Sequence, residues 1–282
     1  MSHHTTHEIG VSAPFRLDLT VSALRRTSSN LVDVYTGDGW YLRALGGFVA
    51  PVVVSVTQSA PTTLLVSLSG IDASAEPTVP VLATVRRMLG VERDLSEFYR
   101  HACAVSWLRP LARRMRGLKP PRYPTLFEAC ANTILFQQVS LQAASAIMRR
   151  LLMAVGTPVE HDGMTLVAFP SAEQFLRADA AAIRAAGVSD GKLTTLRRAG
   201  EAVASGVLDE VALNELPSAD AARVLRGIKG IGPWTAAVIL LRGLGRLDIF
   251  PGGDSGVAAN VARVAGERLD VAPIAESLGS QR

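Results

Sequence analysis

The stretch Ala221–Asp254, AARVLRGIKGIGPWTAAVILLRGLGRLDIFPGGD, carries one helical pattern into Gly230-Ile231-Gly232-Pro233 and begins a second at once with Trp234-Thr235-Ala236-Ala237-Val238. Two glycines flanking an apolar residue permit a tight turn and leave the main-chain amides open to close approach. Proline at the next position suits the first turn of a helix, where its missing N–H is no loss. Unpaired amides at that helix start, together with the helix dipole, form an anion site that suits one phosphate. A Gly-x-Gly before a helix is also what an ordinary interhelical turn contains, so the turn by itself is weak evidence of function.

The continuation adds chemistry. The run Leu247-Asp248-Ile249-Phe250-Pro251-Gly252-Gly253-Asp254-Ser255-Gly256 sets an acid in a glycine-rich loop just before another helical pattern. Asp254 there can cap that helix, carry chemistry, or do both. Asp248, placed before Phe250-Pro251, reads as structural.

Outward from this stretch, the texture changes along the chain. Pro14 to about Gly70 alternates like strands, with PFRLDLTVSALRR, then LVDVYTGDGWYLRALGG around the turn residues Thr36-Gly37-Asp38-Gly39, then the β-branched runs APVVVSVTQ and TTLLVSLSG. From about Pro77, VPVLATVRRMLG, DLSEFYRHA and VSWLRPLARRMRG space apolar residues by three and four, as helices do. Gly117-Leu118-Lys119-Pro120-Pro121-Arg122-Tyr123-Pro124 cannot be crossed by a helix. Beyond it Thr125 can cap one or two long buried helices over TLFEACANTILFQQVSLQAASAIMRRLLMAVG, and the rest reads as almost entirely helical. The expected organisation is α+β: a disordered tail over 1–11, an α+β domain with a small antiparallel sheet over 12–116, a Pro-rich linker over 117–124 and a helical domain over 125–282.

At 282 residues, 48% hydrophobic and 19% charged, the chain is a folded protein with room for two cores. No apolar run approaches the roughly 18 residues of a membrane span, and the start MSHHTTHEIG lacks a secretory pattern, so a cytoplasmic location is expected. Cys103 and Cys130 are the only cysteines, too few for a four-thiolate iron-sulfur cluster, and they read as buried thiols. No His/Cys/Asp spacing suggests zinc, and His3, His4 and His7 fall in the expected tail. The net charge of +4 is mild, but Arg109 to Arg150 holds eight basic residues against one acid, Glu128. That concentration fits either a solvated face or a polyanionic partner.

Taken together, GIGPWTA with DIFPGGDSG, YPTLFEACANTILFQQVS, GVSDGKLTTLRRAGEAV and PFRLDLTVSALRR resemble the helix-hairpin-helix DNA glycosylases with a Gly/Pro-rich loop and an essential aspartate, in particular the DNA-3-methyladenine glycosylase II type. The resemblance spans roughly residues 12 to 282. It implies a DNA glycosylase of base excision repair, a hydrolase that flips an alkylated purine such as 3-methyladenine out of duplex DNA and cuts its N-glycosidic bond, leaving an abasic site. Asp254 takes the position of the essential aspartate, whose charge stabilises the positive sugar of the transition state and can orient water.

Relatives that also nick the strand carry a lysine where this chain has Trp234, so a monofunctional enzyme is implied, without lyase activity. Trp234, Val238 and Phe136 correspond to the base pocket, where an aromatic face attracts a cationic base; the tryptophan could equally be a buried helix-start residue. Gly230, Ile231, Gly232, Pro233 and Thr235 form the DNA-binding hairpin. In the loop Phe136–Ser140, Gln138 corresponds to the wedge that fills the gap left by the flipped base, or else caps the following helix. The carbonyls of Arg226, Ile228 and Ile231 match a Na or K site, with no other cofactor required. The expected partner is double-stranded DNA with damaged bases, met by a monomer at the nucleoid with no membrane attachment.

Two departures bear on specificity. Val238 replaces an aromatic residue of relatives, and the chain stops at Gly279-Ser280-Gln281-Arg282 where relatives continue with an aromatic-rich helix. Deaminated or oxidised purines are the alternative substrates. A damaged-DNA-binding module without catalysis is the alternative class, against which an intact Asp254 speaks.

Overall fold

The computed structural model describes residues 4–70, 78–251 and 253–267. Five antiparallel strands open the chain: β1 (His4–Gly10), β2 (Val34–Tyr35), β3 (Tyr41–Leu45), β4 (Val52–Ala60) and β5 (Thr63–Ser69), in the order β1-β5-β4-β3-β2. Helices α1 (Leu17–Arg25), α2 (Thr78–Leu89), α3 (Ser96–Ala104) and α4 (Arg109–Arg114) accompany them. Period-two alternation gives the sheet its core face. Val52, Val54 and Val56 on β4 and Leu64, Val66 and Leu68 on β5 are buried with Val81 and Val85 of α2 and Val21 and Leu24 of α1. Burial of each such side chain contributes about 1.5–3 kcal/mol.

The N-terminal tail expected to be disordered is instead the edge strand β1, paired with β5 from His4↔Ser69 to Gly10↔Thr63. Its ladder is a backbone property that HTTHEIG, with Ile9 as its single inward apolar anchor, does not advertise; His4 and His7 lie in this strand, while His3 is outside the described residues.

The second half holds α5 (Leu126–Leu135), α6 (Leu141–Val155), α7 (Ala172–Arg177), α8 (Ala180–Ala185), α9 (Asp190–Ala204), α10 (Glu210–Glu215), α11 (Ser218–Arg226), α12 (Pro233–Ile239) and α13 (Ser255–Ala265). Thr125 caps α5 by accepting the Glu128 amide, as expected. The expectation of an almost purely helical half fails at β6 (Thr157–His161) and β7 (Met164–Ala168), a hairpin turning at Asp162-Gly163, both with positive φ. Asp-Gly with two left-handed residues is the turn that matches the twist of paired strands. The hairpin covers the outer face of the sheet, packing Leu166 and Ala168 on Leu42, Ala44 and Val53.

The Pro-rich segment is no loose tether. The chain after α12 widens into a π turn over Leu240–Leu244, and the Tyr123 amide donates to the Arg242 carbonyl at 2.7 Å while Arg122 Nε and Nη2 donate to that of Gly243. Lys119 is buried with its ammonium on the Arg93 carbonyl. It therefore drops out of the basic stretch, whose Arg109, Arg113, Arg114, Arg116, Arg149 and Arg150 are exposed. Cys130 is buried and its thiol pushed up to about 12, whereas Cys103 is half-exposed, against the expectation that both are buried.

Between the sheet core and the helical core lies a buried charge cluster that the sequence did not single out. Arg43 of β3 donates to Asp33 at 2.5 Å and to both oxygens of Glu128 on α5 at 2.6 Å, and Tyr41 donates to Asp33 at 2.7 Å. Burial works against the charge on Arg43, yet the two carboxylates raise its pKa well above its ordinary value. Two carboxylates share one guanidinium, so burial and the Asp33 charge together outweigh Arg43 and lift Glu128 to about 7.

The folded state then holds a proton on Glu128 that the unfolded chain releases near 4.5. Stability should accordingly fall as pH rises between about 4.5 and 7, by at most about 1.4 kcal/mol per pH unit from this group. Urea unfolding across that window should show the decline in the wild type and a shallower one in Glu128→Gln; identical slopes would place the proton elsewhere.

Candidate active site

The hairpin is built from α11, a turn and α12. The Gly227 amide closes α11, the Ile231 amide returns to the Ile228 carbonyl at 3.0 Å, and Ile231 drops into the helical core with 4% of its surface exposed. The two glycines play different parts. Gly230 has φ +105°, and a Cβ there would lie 2.2 Å from Thr195 Oγ1, so α9 fills the space a side chain would need. Gly232 caps α12 in ordinary extended backbone and faces open space. Of the pair, only Gly232 has room for a side chain. Thr235, assigned to the same hairpin, is buried, and its hydroxyl accepts a hydrogen bond from within the fold. Arg198 and Lys229 line an open groove beside the turn.

The fold brings Asp254 and Trp234 together. Trp234, in the first turn of α12, donates its indole Nε1–H to Asp254 Oδ2 at 2.9 Å, while Asp254 Oδ1 accepts the Val257 amide at 3.0 Å and caps α13. A carboxylate has about four lone-pair sites, so two contacts fix its plane and leave acceptor capacity for a further partner. Asp254 is half-buried, at the rim of the site. Capping and chemistry therefore coexist at one residue, and Trp234 orients the carboxylate as well as standing beside it. Asp248 accepts a hydrogen bond from Ser218 at the start of α11, a contact internal to the fold.

Phe136 lies at the C-terminal end of α5, where its ring packs against the helical core. It lines a small cleft with Arg26, Asn30, Asn132, Met148 and Arg149, on which Trp234 and Val238 do not border. One face of its ring is covered by the Arg26 guanidinium at 4.3 Å, and Arg26 Nη2 donates to Tyr123 Oη at 2.6 Å. Arg26 sits at φ +56°, a conformation non-glycine residues adopt at a cost. Nothing in the sequence marks it: PFRLDLTVSALRR alternates like a strand, but its buried Leu17, Val21 and Leu24, spaced by three and four, fold as the helix α1, with Arg26 at its end.

In the loop between α5 and α6, the helix cap is Ser140, which accepts the Ala143 amide. Gln138 is left exposed at the tip with φ +54° and no hydrogen-bond partner among the described residues. Its neighbour Gln137, unremarked in the sequence, donates to Thr235 Oγ1 at 2.7 Å. Lys192 of α9 donates to the carbonyls of Leu135 and Gln137 at 2.8 and 2.9 Å.

Comparison with known proteins agrees with this geometry. Residues 131–272 match the family model described as HhH-GPD superfamily base excision DNA repair protein. The chain belongs to that superfamily. It is 30% identical over 186 residues to the DNA-3-methyladenine glycosylase of Bacillus subtilis, covering 64% of this chain and 60% of that one. Among solved structures, a 3-methyladenine DNA glycosylase from Archaeoglobus fulgidus superposes with TM-score 0.80 at 24% identity, over 98% of this chain and 92% of its own. The 8-oxoguanine glycosylase/lyase of Clostridium acetobutylicum follows at 0.73 and 15%, over 99% and 94%. One fold thus serves proteins named for different lesions, one of them also named a lyase, so the fold by itself does not select the lesion. Among the described residues no helix is long and apolar enough to cross a membrane.

Proposed function

We propose that this protein is a monofunctional DNA glycosylase, a hydrolase that flips an alkylated purine from duplex DNA, cuts its N-glycosidic bond with water and leaves an abasic site. The observation that carries the reading is the Trp234–Asp254 pair. A carboxylate held from both sides at the mouth of the hairpin is preorganised to stabilise positive charge developing on a sugar, and it needs no reorganisation when that charge appears. The relative from Bacillus subtilis, named for 3-methyladenine, supports the substrate class.

The nucleophile is water because no amine is placed for attack. Trp234 occupies the position of the nicking enzymes' lysine, and the Lys192 ammonium is tied to two carbonyls. Lys229 lies on the exposed side of the turn. Gln138 is the wedge and the Gly232 end of α12 the phosphate anchor, with Arg198 and Lys229 beside it. The carbonyls of Arg226, Ile228 and Ile231 suit a Na or K ion: Ile228 accepts the Ile231 amide, and no protein donor reaches the other two among the described residues. The reading includes a monomer acting at the nucleoid.

One observation favours a second reading, excision of a deaminated or oxidised purine. The Arg26 cation over Phe136 opposes a positively charged base stacked there and tolerates a neutral one. Duplexes carrying single 3-methyladenine, hypoxanthine or 8-oxoguanine lesions separate the two. The methylated base should appear free in solution, the strand should stay whole until alkali is added, and borohydride should trap no protein–DNA adduct. Release of the neutral purines alone would select the second reading, and a trapped adduct would overturn the water mechanism.

A further inference from the structure

Three contacts tie the wedge loop to the hairpin, and α9 is common to two of them. Lys192 holds the C-terminal end of α5 through the Leu135 and Gln137 carbonyls, where an ammonium also meets the negative end of the helix dipole. Almost one turn later on the same helix, Thr195 packs directly onto Gly230 of the hairpin. Gln137 closes the triangle, donating to Thr235 Oγ1 at 2.7 Å with the Gly230 carbonyl at 3.4 Å. Gln138, the next residue, projects from this triangle with its backbone in the left-handed region.

We infer that Gln137 is a positioning residue that locks the wedge loop to the phosphate-binding hairpin, so that anchoring of the backbone and insertion at the lesion occur as one rigid-body event. The inference rests on reading Gln138 as the wedge. The physical reason is geometric: a phosphate held at the start of α12 fixes the duplex relative to Thr235, and the Gln137–Thr235 bond then fixes the loop tip relative to the duplex. Without that bond the tip is held only from the α9 side, through Lys192, and a displacement of about 1 Å at a reacting constellation costs on the order of 100-fold in rate. Burial lowers the pKa of Lys192, but its two carbonyl partners suit the protonated ammonium and keep that side of the triangle in place.

The test compares single-turnover excision of one lesion in two settings, opposite its pairing partner and in an unpaired bulge where the base is already unstacked. Gln137→Ala should slow excision from the paired site by about 30- to 100-fold and from the bulge by less than about 3-fold, with the Kd for undamaged duplex changed by less than about 3-fold. Thr235→Val, which keeps the volume of a buried residue, should give the same ratio of paired to bulged excision rates. The double variant should be no worse than either single one, as for two ends of one contact.

Equal slowing of paired and bulged substrates, or additive losses in the double variant, would overturn the proposal and make Gln137 a direct DNA contact or a fold residue. Gln138→Ala is the reference arm. If it leaves the paired-to-bulged ratio unchanged while Gln137→Ala alters it, the wedge reading fails and the bracing stands; if Gln138→Ala alters the ratio and Gln137→Ala does not, the reverse holds.

Discussion

Asp254→Asn is expected to lower base release by about three orders of magnitude, because the lost negative charge acts on the transition state and not on the bound ground state. The fold should survive. Asn caps a helix about as well as Asp does, so its amide oxygen can still accept the Val257 amide; its NH2 cannot accept the Trp234 indole N–H, and loss of that one contact should cost about 1 kcal/mol. Asp254→Ala loses both contacts and should add about another 1 kcal/mol of destabilisation to the same catalytic defect. Single-turnover release of the free base, measured beside urea unfolding and abasic-DNA binding, separates these effects. Unfolding of the Asn variant would make capping the residue's main role.

The second large effect concerns the hairpin glycines, which the sequence alone treats as a pair. Gly230→Val should destabilise the protein by about 3 kcal/mol or more, since a β-branched residue at φ +105° is strained and its Cβ meets Thr195. Gly232→Val has open space and ordinary backbone, so it should fold normally yet weaken duplex binding for all sequences alike, with a reduced salt dependence. Thermal melting and salt-dependent binding of both variants check this. Equal stability of the two would remove α9 from behind the hairpin, and unchanged binding by Gly232→Val would move the phosphate site elsewhere.

The three features of Ala221–Asp254 are legible because each is local. A tight Gly-x-Gly turn, a proline at a helix start and an acid in a glycine loop are written in consecutive residues, and the structure builds all three as expected. Contacts made across long separations are not. Gln137 reaches Thr235 across 98 positions, Arg43 reaches Glu128 across 85, and no local pattern distinguishes such residues from solvated ones. The strand β1 and the hairpin β6–β7 were missed for opposite reasons. The first has too little apolar signal to register, while the second carried a plain Asp-Gly turn that the surrounding helical periodicity overshadowed.

The charge cluster between the two cores also restricts how this architecture can be shuffled. Arg43 and Tyr41 come from β3, Asp33 from the approach to β2 and Glu128 from the first turn of α5. A recombination event that exchanged the sheet-bearing half for that of a distant relative would strand Glu128 in a dry seam without its cation, unless the incoming half supplied an arginine in the same register. The halves are thus matched like lock wards to a key, and inheritance of one constrains inheritance of the other.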